Sequence, residues 1–66
     1  MSNSFEYIRK YYNVPAKRGM WVRLEENPHI RGKIINARGV YLKVILEGDT
    51  KPGYYHPLDF IYPKEP

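Results

Sequence analysis

Aromatic and cationic side chains alternate with aliphatic ones in two segments of the chain. Arg23 follows Trp21 two positions along, and Lys43 follows Tyr41 in the same way. Side chains two apart on a β-strand point to the same face, so each pair would share one surface. A segment between them in the sequence adds Lys33. Because aromatic rings stack on bases while Lys and Arg contact phosphates, this spacing predicts a nucleic-acid-binding surface.

The predicted surface spans three strands, whose neighbours would lie about 4.8 Å apart. Its candidate nucleic-acid-binding residues are Trp21, Arg23, Lys33, Arg38, Tyr41 and Lys43. Arg38 is expected at a hairpin tip, and Arg31 could extend the same basic rim. The sequence leaves open whether the ligand is DNA, RNA or a protein.

The same rings have a second interpretation. An N-terminal helix would carry an apolar stripe that includes Phe5 and Ile8, and this stripe needs a surface to dock on. The surface around Trp21, Ile35 and Tyr41 is the obvious partner. The aromatic residues would then form a minor core, and the nearby Lys and Arg side chains would be ordinary solvated charges. The exposure of the two rings decides between the interpretations.

Catalytic arrangements are not expected. A nucleophile needs an adjacent base and an orienting group, yet the chain has no cysteine, and Ser2 and Ser4 are its only serines. Glu25 and Glu26 are adjacent, so they would point apart on a strand or be solvated on a loop. No glycine-rich phosphate loop follows a predicted strand. We therefore expect that the protein is not an enzyme.

His29 and His56 are the only imidazoles, and a zinc site needs a third and usually a fourth ligand. His29 is expected on a loop, and His56 is expected to hydrogen-bond beside a turn at Pro57. No metal and no cofactor is predicted. Tyr54 and Tyr55 could join an aromatic cage for a methylated cation, although strand alternation would place them on opposite faces.

Length and composition limit the possibilities further. With 66 residues the chain has room for one domain with a small core. Lys and Arg outnumber Asp and Glu by 11 to 7, a mild basic excess that favours polyanionic partners. The lack of cysteine is typical of a reducing compartment, and no stretch approaches the roughly 18 apolar residues of a membrane span. A cytoplasmic protein without membrane association is therefore expected.

A helix is the first element expected to support this surface. Asn3 and Glu6 form a capping-box pair, and the apolar residues that follow recur at helical spacing. Pro15 prevents the helix from continuing. The pattern predicts a helix over residues 4–12 that docks on the rest of the domain.

Alternation with a period of two begins after Gly19. Predicted strands cover residues 20–25, 31–37, 40–46, 54–56 and 61–62. Gly32 is expected to mark a bulge or bend, and residues 36–39 a hairpin turn with Gly39 in fourth position. A 3₁₀ turn is expected at 57–60. Five short strands with tight turns predict a closed antiparallel barrel, because closure removes exposed strand edges.

Five motifs follow one another along the predicted strands. They are Gly19-x-x-Val22, Gly32-Lys33-Ile34, Tyr41-Leu42-Lys43-Val44, Gly48-Asp49 and His56-Pro57-Leu58-Asp59-Phe60. Their order resembles SH3-like barrels of the KOW and Tudor type, in which a basic or aromatic face or loop binds RNA, DNA or a modified peptide. The resemblance implies a five-stranded SH3-like antiparallel barrel over residues 17–63. A helix and linker at 1–16 would dock on it, and 64–66 would form a tail.

Two further segments resemble known proteins. Residues 11–19 resemble small phage and prophage proteins of unassigned role. Residues 53–60 resemble the plasmid-type dihydrofolate reductase barrel, but Tyr54-Tyr55-His56 stands where that family carries a Gln-Ile-Tyr run, so its activity is not expected.

Together these patterns predict a small non-enzymatic module that binds nucleic acid through a basic and aromatic barrel face. The alternative is a protein–protein interaction module or a homo-oligomeric structural protein of phage or prophage origin. The seven tyrosines favour that alternative, since tyrosine is enriched at protein interfaces.

Overall fold

The computed structural model describes residues 4–64, and that part of the chain folds into one helix and one sheet. The elements are α1 (Ser4–Tyr12), β1 (Trp21–Leu24), β2 (Arg31–Arg38), β3 (Tyr41–Leu46), β4 (Gly53–Tyr55), a 3₁₀ turn (Pro57–Asp59) and β5 (Phe60–Ile61). The strands form an antiparallel sheet in the order β4-β3-β2-β1-β5, curled into a half-barrel. The predicted mainly β fold is confirmed. No helix within residues 4–64 is long and apolar enough to cross a membrane.

Helix α1 packs on the inner, aliphatic face of the sheet. Its buried residues Phe5 and Ile8 belong to the same core as Ile34, Leu42 and Val44. Each of these three sheet residues is fully buried, and each alternates with outward-facing neighbours. The helix therefore docks on the aliphatic side of the sheet, where Phe5 and Ile8 join the core, and Trp21 is left exposed on the other side.

Helix α1 covers the predicted residues 4–12 and ends where the sequence predicts. Glu6 lies in the first turn and Arg9 in the last turn, where each charge complements the helix dipole. Asn13 follows the helix with a left-handed φ of 55°, which ends the helical path. Arg9 then donates from Nη1 to the backbone oxygen of Ala16 at 2.8 Å and ties down the linker. The predicted cap at Asn3 lies outside the described residues.

A bulge interrupts the pairing between β2 and β3. Ile34 pairs with Val44, but Asn36 pairs with Lys43, so Ile35 is an extra residue with no partner in the ladder. Before the bulge the odd-numbered residues of β2 face outward, and after it the even-numbered residues do. The bulge therefore decides which side chains of β2 reach the outer face.

The sequence predicts a bulge or bend at Gly32, but the bulge lies at Ile35 instead. Gly32 is regularly paired with both neighbouring strands. A Cβ at this position would lie 2.7 Å from Cγ1 of Val44 and 2.9 Å from Cδ2 of Leu46. Glycine is required here because side chains of β3 occupy the space that any larger residue would fill.

The hairpin between β2 and β3 is tighter than predicted. Arg38 pairs directly with Tyr41, which leaves only Gly39 and Val40 in the turn. Gly39 has a φ of 60°, as the first central position of a type II′ turn requires. The predicted turn began at Asn36, but the extra residue of the bulge keeps Asn36 in register with β3.

His56 fixes the 3₁₀ turn. Its Nδ1 accepts a hydrogen bond from the amide of Leu58 at 3.1 Å, and its own amide donates to the Asp59 carboxylate at 3.2 Å. Pro57 occupies the first turn. This reciprocal cap confirms the predicted hydrogen bond of His56 beside Pro57. It also ends β4 at Tyr55, one residue earlier than predicted.

Strands β4 and β5 form the two ends of the sheet, so the half-barrel remains open where full closure was expected. The rings of Tyr55 and Phe60 meet across this seam at 5.6 Å. Beyond β5, the Tyr62 hydroxyl donates to the backbone oxygen of Pro57 at 2.5 Å. Side-chain contacts thus hold the two edge strands β4 and β5 together, since these short strands do not pair with each other through their backbones.

Candidate nucleic-acid interface

Trp21 and Tyr41 lie on the outer face of the half-barrel, away from the core residues Phe5 and Ile8 of α1. In β1 the side chain of Val22 is buried, whereas that of Trp21 is 48% exposed; in β3 Leu42 is buried, whereas Tyr41 is 49% exposed. Both strands thus show the alternation that predicts a shared face. Because α1 packs on the buried side, the interpretation of these rings as a minor core beneath the helix is wrong.

The cross-strand register determines which side chains meet on the outer face. Trp21 pairs with Lys33, and Lys33 pairs with Ile45, so the three lie in one row across β1, β2 and β3. In the next row Arg23 pairs with Arg31. We call these five residues the Trp21 patch.

The two arginines of the Trp21 patch differ in whether a carboxylate neutralises their charge. The guanidinium of Arg31 lies 5.4 Å from the Trp21 ring centroid, and its Nη2 donates to the Glu47 carboxylate at 2.7 Å. This hydrogen bond lowers the pKa of Glu47 and raises the pKa of Arg31. Arg23 donates to the backbone oxygen of Pro28 at 3.0 Å, which orients the guanidinium without neutralising it.

A second group of outward side chains lies beyond the bulge. Arg38 pairs with Tyr41, and Lys43 pairs with Asn36 on one side and with Tyr54 on the other. The Lys43 ammonium lies 6.0 Å from the Tyr54 ring centroid, at the edge of the cation–π range. We call Arg38, Tyr41, Lys43 and Tyr54 the Tyr41 patch.

The structure brings the six predicted residues onto one face but divides them between these two patches. Trp21, Arg23 and Lys33 lie before the bulge, and Arg38, Tyr41 and Lys43 lie beyond it. Arg38 reaches the outer face only because Ile35 is bulged. Within residues 4–64, Lys33, Arg38 and Lys43 have no ion pair. The outer face is therefore cationic, with an exposed ring in each patch.

Tyr54 is an outer-face residue that the sequence did not predict for this site. It is half exposed beside Lys43, whereas Tyr55 turns inward against Phe60. The two adjacent tyrosines thus lie on opposite faces, as alternation predicts, and cannot line one aromatic cage. The same alternation would have assigned Tyr54 to the outer face if the pairing of β3 with β4 had been known.

A further row of rings, also missed, runs along α1. Tyr7 and Tyr11 stack at 5.5 Å with an interplanar angle of 12°, Tyr11 meets Tyr12 edge-on at 4.8 Å, and Tyr12 meets His56 edge-on at 4.9 Å. We call these four residues the tyrosine ridge. Partial burial, followed by the phenols of Tyr11, Tyr7 and Tyr41, raises the pKa of Tyr12. The spacing of Tyr7 and Tyr11, one helical turn apart, is the signal that could have revealed the ridge.

The described residues do not bring together three His, Asp or Glu side chains in a way that could hold a metal ion. His29 lies on the exposed loop between β1 and β2, as expected, where its amide donates to the side chain of Asn27 at 3.3 Å.

Comparison with known proteins found no match. No protein-family model matches the chain, and neither a curated protein nor a solved structure matches it. The resemblances to SH3-like barrels and to phage proteins therefore stay predictions.

Proposed function

We propose that the protein is a small binding module that takes single-stranded nucleic acid on the outer face of its sheet. The observation that carries the proposal is the exposure of Trp21 and Tyr41 on the same face as Lys33, Arg38 and Lys43. Exposed rings provide stacking platforms for unpaired bases, and the surrounding cations attract phosphates. Single strands suit this surface better than a duplex, because duplex bases are already stacked on one another.

The distribution of charge supports this proposal. The chain carries a net charge of +4. Glu47 is the acidic residue at the outer-face end of β3, and its ion pair with Arg31 reduces its repulsion of phosphates. The remaining cations of the two patches are left to attract a polyanion.

We also propose that the half-barrel is an SH3-like barrel of the KOW and Tudor type. Five antiparallel strands, with a 3₁₀ turn before the last, are compatible with that architecture. In such barrels the resemblance implies ligand binding on a basic or aromatic face, which agrees with the surface proposed here.

Binding of a fluorescein-labelled single-stranded oligonucleotide, followed by anisotropy at several salt concentrations, tests the proposal. Affinity should fall steeply with salt, with a log–log slope of about 0.7 for each phosphate contact. The double variant Lys33→Gln/Lys43→Gln should weaken low-salt affinity roughly tenfold, about 1.4 kcal/mol. It should also flatten the slope by about 1.4 if each lysine contacts one phosphate.

A charge-matched control separates a defined face from general attraction to a basic protein. Lys10 lies on α1 and Lys51 lies in the loop after β3, so neither belongs to the outer face. Lys10→Gln/Lys51→Gln removes the same charge and should leave affinity within about twofold. Equal losses in the two double variants would refute the proposed face.

The tyrosine ridge favours a second function, a protein-interaction module or homo-oligomer. Tyr11 is the most exposed of its rings, at 67%, and aromatic residues are enriched at protein interfaces. Sedimentation at increasing protein concentration tests the homo-oligomer. A concentration-dependent mass that Tyr7→Ser/Tyr11→Ser abolishes would support it, and a constant monomer mass would exclude it.

A further inference from the structure

A groove of about 430 Å³ lies on the other side of β1 from the Trp21 patch. Its lining residues are Leu24, Glu25, Glu26, Tyr55, Leu58 and Asp59. The loop after β1 forms one wall and the 3₁₀ turn the other, and the amide of Glu25 joins them by donating to the backbone oxygen of Asp59 at 2.9 Å. The groove shares no residue with the two outer-face patches.

The lining is apolar at its base. Leu24 and Tyr55 are half-buried and pack against the core. Leu58 is 51% exposed although it is a large aliphatic residue, and Pro57 before it is buried. The capped 3₁₀ turn therefore holds Leu58 towards the groove, where its side chain can contact a further apolar group.

The rest of the lining is acidic. Three of the seven acidic residues of the chain line this groove, and no Lys or Arg does. Glu25 and Glu26 are exposed and form no hydrogen bond or ion pair through their side chains within residues 4–64. The Asp59 carboxylate is held in place by the amide of His56. The groove is therefore locally negative, although the chain as a whole carries a net charge of +4.

The groove suits an organic cation better than a metal ion. Its three carboxylates are not a group that could hold a metal among the described residues. An extended organic cation fits better, because its charged end can meet the carboxylates while its hydrocarbon part lies on the apolar base. Lysine and arginine have this construction: an apolar stem that packs on aliphatic surface and a charged head that stays in a polar environment.

We propose that this groove binds a lysine or arginine side chain presented by a partner protein. The aliphatic stem lies against Leu24, Leu58 and the Tyr55 ring, and the charged head lies between the carboxylates of Glu25 and Glu26. Phosphates would be repelled by the same carboxylates, so the partner is a protein rather than nucleic acid. The protein would thus carry two sites of opposite charge on different surfaces.

Titration with an acetylated and amidated tetralysine peptide tests this site, with tetra-arginine as a second probe and tetraglutamate as the negative control. The Leu24 and Leu58 methyl resonances should shift on addition of either cationic peptide. Glu25→Gln/Glu26→Gln should weaken affinity at least roughly tenfold. Leu58→Ser, which shortens the apolar base, should also weaken it. All three substituted side chains are exposed, so thermal melts should show that the variants remain folded.

The matched control is Glu6→Gln/Asp49→Asn, which removes two charges from exposed positions outside the groove. It should leave the affinity for tetralysine within about twofold. Equal weakening by both double variants, an unaffected Leu58→Ser variant, or absence of methyl shifts would each overturn the groove as a side-chain site.

The same variants separate this site from the proposed nucleic-acid face. Lys33→Gln/Lys43→Gln should retain tetralysine binding, and Glu25→Gln/Glu26→Gln should retain oligonucleotide binding. If the protein binds only the oligonucleotide, the groove proposal is wrong. If it binds only tetralysine, the nucleic-acid proposal is wrong.

Discussion

Substitution of Gly32 by alanine should destabilise the fold, because β3 already occupies the space of the new methyl group. The added Cβ would lie 2.7 Å from Cγ1 of Val44 and 2.9 Å from Cδ2 of Leu46. Optimal carbon contacts are about 3.5–4.0 Å, so the strands must separate by close to 1 Å or the side chains must leave their rotamers. Overpacking of this kind costs about 1–3 kcal/mol, and the lower chain entropy of alanine offsets about 0.4–1 kcal/mol.

The net loss of about 1–2 kcal/mol is measurable in so small a domain. Its free energy of unfolding is on the order of 3–10 kcal/mol, and each 1 kcal/mol shifts Tm by about 4–8 °C. Thermal melts followed by circular dichroism should therefore show Gly32→Ala unfolding about 5–15 °C below the parent. Gly53→Ala is the control, since its Cβ would come no closer than 3.3 Å to the Tyr55 ring and should lower Tm less.

A double-mutant cycle with Val44→Ala tests the stated cause. Val44→Ala alone leaves a cavity in the core, but it also removes Cγ1 of Val44, the closer of the two atoms that the new Cβ of Gly32→Ala would strike. The double variant should therefore be more stable than the sum of the single losses predicts, with a coupling of about 1 kcal/mol. Additive losses, or an unchanged Tm for Gly32→Ala, would refute close packing as the reason for glycine.

Two further predictions concern pH. Burial raises the pKa of Tyr62 above its usual value, and the nearby Asp59 carboxylate raises it further. The contribution of this shift to the free energy of unfolding is fully present below the unfolded-state pKa near 10, and it is lost as pH rises towards the folded-state value. Tyr62→Phe, which loses the hydrogen bond to Pro57, should cost about 0.5–1.5 kcal/mol at neutral pH and flatten this alkaline decline in urea titrations. The hydrogen bond from Arg31 lowers the pKa of Glu47, so its small contribution is present above the unfolded-state pKa and is lost as pH falls through the folded-state value. Glu47→Gln should remove that acid dependence, and an identical acid profile for the variant would contradict the assignment.

The fold could be predicted largely from local patterns. Period-two alternation and the stop at Pro15 are properties of neighbouring residues, and the helix and strands follow from them. The bulge at Ile35 could not be predicted in this way, because it is defined by a register between β2 and β3 that no local pattern specifies. The displaced turn at Gly39 is a consequence of the same bulge. The close packing around Gly32 could not be predicted either, because its neighbours in β3 are distant in sequence.

The candidate site was predictable only in part, because local alternation can be recognised in the sequence but the register between strands cannot. Alternation was enough to put Trp21 and Tyr41 on an outer face, yet the position of Tyr54 beside Lys43 depends on the β3–β4 register. The side of the sheet on which α1 docks also had to come from the three-dimensional structure. Helix α1 packs on the aliphatic face because this face offers the larger apolar area. Burial of apolar area is what stabilises so short a helix.

Backbone pairing in the sheet brings outward-facing residues from β1, β2 and β3 side by side on one surface. Backbone pairing places Trp21, Lys33 and Ile45 in one row, and the Arg31 guanidinium lies 5.4 Å from the Trp21 ring centroid, so a ring and a cation are held beside each other before any ligand arrives. Such preorganisation lowers the entropy cost of binding. The bulge then adds Arg38 and extends the cationic surface towards the hairpin.

The most direct test of the central claim is a nuclear magnetic resonance titration with a single-stranded oligonucleotide at low salt. Shifts should concentrate at the Trp21 indole and at outward-facing residues of β1, β2 and β3, including Lys33, Tyr41 and Lys43. Resonances of the inner core and of the groove around Leu58 should change little. An unchanged spectrum, or shifts confined to the tyrosine ridge, would contradict the assignment of nucleic-acid binding to the outer face.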